Sequence, residues 1–83
     1  MLQNQSSAEY KGVNSDPRIR FGASVRARRK KIGLTQEKLA ELTDLDPTYI
    51  SGIERGRRNP ALKNIVKIAQ ALKTSVAKLA TGL

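Results

Sequence analysis

The chain has 83 residues, with 16 Lys and Arg against 7 Asp and Glu, and it contains neither Cys nor His. This length allows one small domain, and the missing residue types exclude disulfides, the usual zinc fingers and imidazole catalysis. The net charge of +9 favours a polyanionic partner, either nucleic acid or an anionic membrane surface.

Residues 1–17 differ in composition from the rest of the chain. They are polar, rich in Gln, Asn and Ser, and end in Asp16-Pro17. They lack the apolar core of a secretory signal, and no run in the chain approaches the roughly 20 apolar residues of a membrane span. We therefore expect a disordered N-terminal arm over residues 1–17, a folded domain over residues 18–83 and a cytoplasmic location.

The first two predicted helices follow the arm. Apolar residues at steps of four and seven mark the first helix, namely Phe21, Val25 and Ile32. Gly33 is expected to end this helix, and Thr35 is expected to cap the second. Leu39 and Ala40 face the core, with Leu42 and Thr43 as further candidates.

The third predicted helix follows the short turn 44–46. Asp46 can cap it, and Pro47 suits the first helical position, where a missing N–H costs nothing. Ile50 and Ile53 point inward, and Gly56 suits a left-handed residue after the helix.

A fourth and a fifth helix complete the prediction. The fourth opens after residues 59–60 and has the clearest amphipathic pattern in the chain, formed by Leu62, Ile65, Val66, Ile68, Ala69 and Leu72. Ser75 can cap a short fifth helix. No stretch alternates with the period of a strand, so we predict a compact all-α domain of five helices.

Two charged residues lie on the apolar sides of their helices. Arg29 comes four residues after Val25, and Glu54 comes four residues after Ile50. A lone charge that faces a core costs several kcal/mol, so buried charges are usually paired. We expect Arg29 and Glu54 to form a partly buried ion pair that ties the first helix to the third. The alternative is two solvated charges at the edges of the apolar stripes.

The segment GLTQEKLAELTDLDPTYISGIERGRRNP, followed by LKNIVKIAQALKTSVAKL, resembles the phage-repressor-like helix-turn-helix proteins of the Xre family. Within that family, TYISGIERG is most similar to the small controller proteins of restriction–modification systems. The resemblance implies the family's five-helix fold, its pairing of Arg29 with Glu54, and a dimer that binds operator DNA near its own gene. Two residues depart from the family pattern: Asp44 stands where Gly is usual, and Pro47 stands where controller-like proteins often carry a basic residue.

The resemblance also implies how DNA is bound, with the third helix in the major groove. The expected base-reading residues lie on its outer side and are Pro47, Thr48, Ser51, Gly52 and Arg55. The expected phosphate-binding residues are Gln36, Tyr49, Arg57, Arg58 and Asn59. The alternatives are ordinary surface hydroxyls on the helix and a solvated basic loop after it.

We expect a homodimer, because the fifth helix is too short for a full face of its own. Its interface would contain Val76, Leu79 and Leu83, and a two-fold pair would place two recognition helices about 34 Å apart, one turn of DNA. The alternative is that these three residues cover the core of their own protomer.

Other classes of protein fit the sequence less well. Without His, Cys or clustered carboxylates, no nucleophile–base pair or metal cluster can be assembled, so we expect no enzyme activity, cofactor, metal or small-molecule ligand. A basic membrane-surface module is disfavoured, because the cations gather at a turn and a loop. RNA binding is disfavoured because Tyr10 and Tyr49 are isolated and Phe21 is expected to be buried. An antitoxin-like regulator that also binds a protein partner, for which the arm 1–17 is the feature to test, remains an alternative.

Overall fold

The computed structural model describes residues 16–83, which form five helices and contain no strand. The helices are α1 (Pro17–Lys31), α2 (Gln36–Thr43), α3 (Pro47–Glu54), α4 (Leu62–Ala71) and α5 (Val76–Leu79). The predicted all-α fold is therefore confirmed. Nearly all of the predicted arm lies outside the described residues, although Pro17, its last residue, is the first residue of α1.

The helices begin where short polar side chains can satisfy free backbone N–H groups. Thr35, Asp46 and Ser75 cap α2, α3 and α5 as predicted, accepting hydrogen bonds of 3.0, 2.7 and 3.0 Å from the N–H two or three residues later. Asp16 caps α1 in the same way. Ala61 precedes α4 and provides no side-chain cap.

Four helices end in a residue with left-handed backbone geometry. Gly33 and Gly56 were expected to do so and have φ values of 77° and 76°. Asp44 and Lys73 adopt the same geometry with φ values of 59° and 56°, although both carry a Cβ. In each case the N–H of this residue and the N–H of the residue after it donate to carbonyls of the last turn, so the left-handed residue completes the helix end.

The core lies where α1, α2, α3 and α4 meet, and α5 covers one end of it. Its buried apolar residues are Phe21, Val25, Leu39, Ala40, Ile50, Ile53, Ile68, Ala69, Leu72 and Leu79. Three apolar residues of the predicted pattern are exposed: Leu42, a candidate for the core, by 52%, and Leu62 and Val66 of the fourth helix by 70% and 39%. The apolar stripe of α4 is wider than the face that α2 and α5 cover, and Leu62 is the first residue of its helix.

Helix α1 approaches the end of α3 closely because Gly22 has no side chain. A Cβ on Gly22 would lie 2.1 Å from the carbonyl oxygen of Ile53 and 2.8 Å from that of Glu54. Both neighbours are backbone atoms, so any larger residue would force the two helices apart. The glycine thereby fixes where α3 sits on the domain.

Arg28 joins α1 to the far side of the domain. Its Nε and Nη2 atoms donate to the carbonyl oxygens of Leu72 and Lys73 at 2.8 and 2.9 Å. These carbonyls belong to the end of α4, which carries partial negative charge and lacks helical partners. The guanidinium therefore holds the end of α4 against α1.

Candidate nucleic-acid interface

Helices α2 and α3 pack directly against each other and are joined by three residues, 44–46. The left-handed geometry of Asp44 reverses the chain, and the N–H of Leu45 donates to the carbonyl oxygen of Ala40 at 3.0 Å. Ile50 and Ile53 of α3 are buried, so the opposite side of α3 faces outward. The result is a short helix whose outer side is free to meet a partner.

All five predicted base-reading residues lie on this outer side. Pro47, Thr48 and Arg55 are exposed, and Ser51 and Gly52 are half-buried. Arg55 comes directly after the last residue of α3 and forms its C-cap. The structure thus places two hydroxyls and one guanidinium along a surface that a groove of DNA could accept.

The ion pair expected between Arg29 and Glu54 is present at the inner end of α3. Arg29 donates from Nε to Oε2 at 2.6 Å and from Nη2 to Oε1 at 2.9 Å, and both side chains are buried. The Nη1 atom of Arg29 donates to the carbonyl oxygen of Leu34 at 2.8 Å. Hydrogen bonding to Glu54 raises the pKa of Arg29 against the opposing effect of burial, so the guanidinium stays charged.

The side-chain amide of Gln36 in α2 also hydrogen-bonds to this ion pair. Its Nε2 atom donates to Oε1 of Glu54 at 3.0 Å, so part of its side chain supports the ion pair. Phosphate binding was expected from both its amide and the N-terminus of α2. The backbone N–H groups of Gln36 and Glu37 have no partner within residues 16–83, and these donors remain available to an anion.

Arg58 lies across the surface of α3, although it belongs to the loop that follows. Its guanidinium carbon is 5.6 Å from the centre of the Tyr49 ring, which is cation–π distance. A Cβ on Gly52 would lie 2.7 Å from Cγ of Arg58. The space beside Gly52 on the outer side of α3 is therefore occupied by the stem of Arg58.

Tyr49 has a second contact that orients its phenol. The Nδ2 atom of Asn64 in α4 donates to the Tyr49 hydroxyl at 3.1 Å, and the ring packs against the core. The hydroxyl hydrogen is left for another acceptor. Tyr49 thus supports Arg58 with its ring, while its hydroxyl is oriented by Asn64.

An open polar cleft lies beside α3 and is lined by Arg26, Gln36, Ser51, Glu54, Arg55 and Arg57. The guanidinium groups of Arg26, Arg55 and Arg57 have no ion pair or hydrogen bond with any residue of the described part of the chain. Sequence reasoning included Arg55 and Arg57 but left Arg26 out. Its position three residues before Arg29, on the same side of α1, was the signal that could have placed it there.

The residues expected at a dimer interface do not behave alike. Val76 and Leu83 line one apolar groove of about 150 Å³, together with Pro17, Phe21, Ile65 and Ala80. Leu83 is 54% exposed, whereas Leu79 is only 3% exposed. The expectation that Leu79 needs a second copy to cover it is corrected, because α5 packs it into the core of its own protomer.

No group of three metal-ligating side chains occurs within residues 16–83. In the same part of the chain, no helix has the length and apolar character that crossing a bilayer requires.

The fold and the α2–α3 arrangement match known proteins. Residues 25–79 match a family model described as helix-turn-helix, and the chain belongs to this family. Its Xre-like, phage-repressor-like resemblance is thereby confirmed.

Proteins of similar sequence indicate a narrower class within the helix-turn-helix family. The control protein C.BamHI of Bacillus amyloliquefaciens is 55% identical over 61 residues, which cover 72% of this chain and 75% of that protein. The control protein C.MunI of Mycoplasma sp is 44% identical over 66 residues, covering 78% and 89%. The predicted similarity to restriction–modification controller proteins is therefore confirmed.

Two solved structures agree with the sequence relatives. The restriction–modification controller protein C.AhdI from Aeromonas hydrophila has a TM-score of 0.73 and 45% identity, over 75% of this chain and 94% of that one. The C.Esp1396I controller, crystallised as a tetramer with its natural 35 base-pair operator, has a TM-score of 0.70 and 34% identity, over 81% and 97%.

Proposed function

We propose that this protein is a transcriptional regulator of the controller type, which binds a two-fold DNA operator as a homodimer with α3 in the major groove. The observation that carries the proposal is the outer side of α3: it bears Thr48 and Ser51 and is flanked by guanidinium groups that have no partner within residues 16–83. A relative of the same fold was crystallised on its operator, which supports the same role here.

The roles of the side chains follow from their chemistry. Thr48 and Ser51 can donate to or accept from base edges, and they discriminate weakly because hydroxyls do both. Arg55 can donate two hydrogen bonds to a guanine. Pro47 can make only apolar contact, so the base contact that a basic residue makes in controller-like proteins is absent here.

Phosphate contacts would then fix the register of α3 on the duplex. The backbone N–H groups at the start of α2, the Tyr49 hydroxyl, and Arg57, Arg58 and Asn59 in the loop are the donors. Arg58 is held over α3 itself, so it enters the groove together with the helix. We expect about three to five phosphates to be neutralised by each subunit.

The apolar groove that Val76 and Leu83 line is the surface that a second copy would cover. It combines Val76 and Leu83 with Pro17, Phe21 and Ile65, and it is open to solvent in the protomer. An isolated domain of this size is marginally stable, so burying this groove would also stabilise the fold. As a DNA-binding regulator, the protein would act in the cytoplasm and have no enzymatic activity of its own.

Selection of bound duplexes from a random pool tests this function directly. We expect enrichment of a sequence with two-fold symmetry, and a Kd whose logarithm rises with log salt at about 0.9 per neutralised phosphate. Amide shifts on titration with the selected duplex should concentrate in residues 47–59. A salt-independent affinity, or shifts on another surface alone, would refute the proposal.

Sedimentation velocity tests the dimer separately. A dimer at tens of micromolar, or one that forms on the selected duplex, is the expected result. Leu83→Ser should weaken it, while Leu42→Ser changes an equally exposed leucine outside the groove and should not. Monomer under both conditions would contradict the homodimer.

A further inference from the structure

Helix α1 carries five arginines, and four of them already have partners. Arg18 pairs with Asp16, Arg20 bonds to the Gly82 carbonyl oxygen, Arg28 bonds to the end of α4, and Arg29 pairs with Glu54. Arg26 is the only arginine of α1 without an ion pair or hydrogen bond within residues 16–83. Its guanidinium is exposed and lies beside the polar cleft next to α3.

The cleft gathers positive charge from two separate elements. Arg26 comes from α1, whereas Arg55 and Arg57 follow α3. The carboxylate that lines the cleft, Glu54, already accepts two hydrogen bonds from Arg29 and a third from Gln36. Three like charges around one cleft repel one another, so an anion bound between them would be favourable.

The edge of the cleft also offers neutral donors. Gln36 lines it at the start of α2, where the N–H groups of residues 36 and 37 have no partner among the described residues, and Ser51 contributes a hydroxyl from α3. Guanidinium groups and helix N-termini are the donors that recognise phosphate best, because the former bind two oxygens at once and the latter add partial positive charge. The chemistry of the cleft is therefore that of a phosphate site.

We propose that a phosphate of the DNA backbone occupies this cleft, and that Arg26 extends the DNA interface from α2 and α3 to α1. The inference rests on the proposed function and adds to it a contact outside the helix-turn-helix segment. Arg26 carries no sequence information. It anchors the backbone beside α3 and so helps to fix the register at which Thr48 and Ser51 meet the bases.

Affinity measured as a function of salt tests the contact. Arg26→Gln should reduce the slope of log Kd against log salt by about 0.9 and weaken binding by about tenfold at physiological salt, equally on the selected operator and on unrelated duplex. Arg26→Lys keeps the charge but loses the fork of two donors, so the slope should persist while affinity falls by less. Lys67→Gln is the matched control, because it removes one exposed positive charge on α4 away from the cleft.

Ethylation interference on the selected operator locates the phosphate. Ethylation of the contacted phosphate in each half-site should weaken binding of the wild-type protein. The same ethylation should cause no further loss of affinity in Arg26→Gln, because that variant already lacks the contact. If wild-type protein binds with a steep salt slope but Arg26→Gln matches Lys67→Gln in slope and affinity, the Arg26 contact is refuted and the regulator remains. Failure of wild-type protein to bind any duplex refutes the proposed function itself.

A free anion is the remaining occupant to separate from DNA. Inorganic phosphate and ATP are titrated into the protein without DNA, at constant ionic strength, while the Nε–H signals of the arginines are recorded by NMR. Saturable shifts of Arg26 at millimolar or lower concentration would show a site for free phosphate and overturn the assignment to DNA. Shifts that appear only with duplex support it.

Discussion

The two sides of α3 use the same residue types for opposite purposes. On the inner side, each of the three nitrogens of the buried Arg29 guanidinium donates a hydrogen bond, and the space at Gly22 is filled by backbone atoms of α3. On the outer side, Arg55 has no partner in the described part of the chain, and the space at Gly52 is filled by the flexible stem of Arg58. One side holds the helix in place, and the other keeps side chains available to a ligand.

The difference shows that residue type alone does not reveal the role of an arginine or a glycine in this chain. What separates the two sides is the number of partners and the rigidity of the nearest atoms. Changes on the inner side should therefore cost stability, whereas changes on the outer side should alter DNA binding and leave stability almost unchanged.

Glu54→Ala should have the largest effect. It leaves the buried charge of Arg29 without its carboxylate and removes the acceptor of Gln36, so we expect a loss of about 3–5 kcal/mol in the free energy of unfolding. Urea denaturation followed by circular dichroism measures it. Glu41→Ala, an exposed carboxylate on α2, is the control and should cost less than about 0.5 kcal/mol. A loss for Glu54→Ala as small as that would mean that the ion pair does not hold α3.

Gly22→Ala should come next, at about 2–3 kcal/mol, because its methyl group would overlap two backbone carbonyls that cannot move independently. The loss would occur even though alanine favours helix formation by about 1 kcal/mol relative to glycine. Thermal unfolding provides the measurement, and the exposed Ala23→Gly in the same turn calibrates helix propensity. Unchanged or increased stability of Gly22→Ala would contradict the close approach of α1 and α3.

Asp44→Gly should raise the free energy of unfolding by about 0.5–1 kcal/mol, since glycine adopts the left-handed geometry of the turn without the strain of a Cβ. The melting temperature reports the gain, with Asp44→Ala as the comparison, which should not be stabilising. Because glycine would keep the geometry of the turn, the orientation of α3 should not change and operator affinity should be retained. A clear drop in melting temperature for Asp44→Gly would argue against a left-handed residue at this position.

Gly52→Ala should have the smallest effect on stability, less than about 0.5 kcal/mol, because the stem of Arg58 can move aside and alanine suits a helix. DNA affinity should nevertheless fall, since Arg58 would be displaced from its place over α3. Calorimetry with the selected operator, together with the double variant Gly52→Ala/Arg58→Ala, separates the two causes. If Gly52→Ala weakens DNA binding equally in the presence and absence of Arg58, the displacement of Arg58 is not the reason.

Local patterns predict the helices, their caps and the inner ion pair well. Thr35, Asp46 and Ser75 cap because capping depends on the next three residues alone. The Arg29–Glu54 pair could be inferred because each charge breaks an apolar stripe whose period is visible in the sequence. The outer residues of α3 followed from the same periodicity together with the family resemblance.

Features that depend on how distant elements meet could not be predicted in this way. No local pattern marks Gly22 as the point of contact with α3, or Arg28 as the residue that bonds to the end of α4. Leu62 fits the apolar stripe of α4, but no other helix covers it. The path of Arg58 over Gly52 depends on a loop conformation that no local pattern encodes.

Because the neighbours Arg28 and Arg29 bond to two different helices, α1 affects the geometry of the proposed dimer. Arg28 donates hydrogen bonds to the end of α4, the helix that leads to the apolar groove, and Arg29 donates hydrogen bonds to Glu54 at the end of α3. In the proposed dimer, α1 thus connects the dimer interface to the surface that binds DNA. The rigid α1 of each copy would help to set the distance between the two recognition helices. Operators whose half-sites have another spacing would therefore bind less tightly.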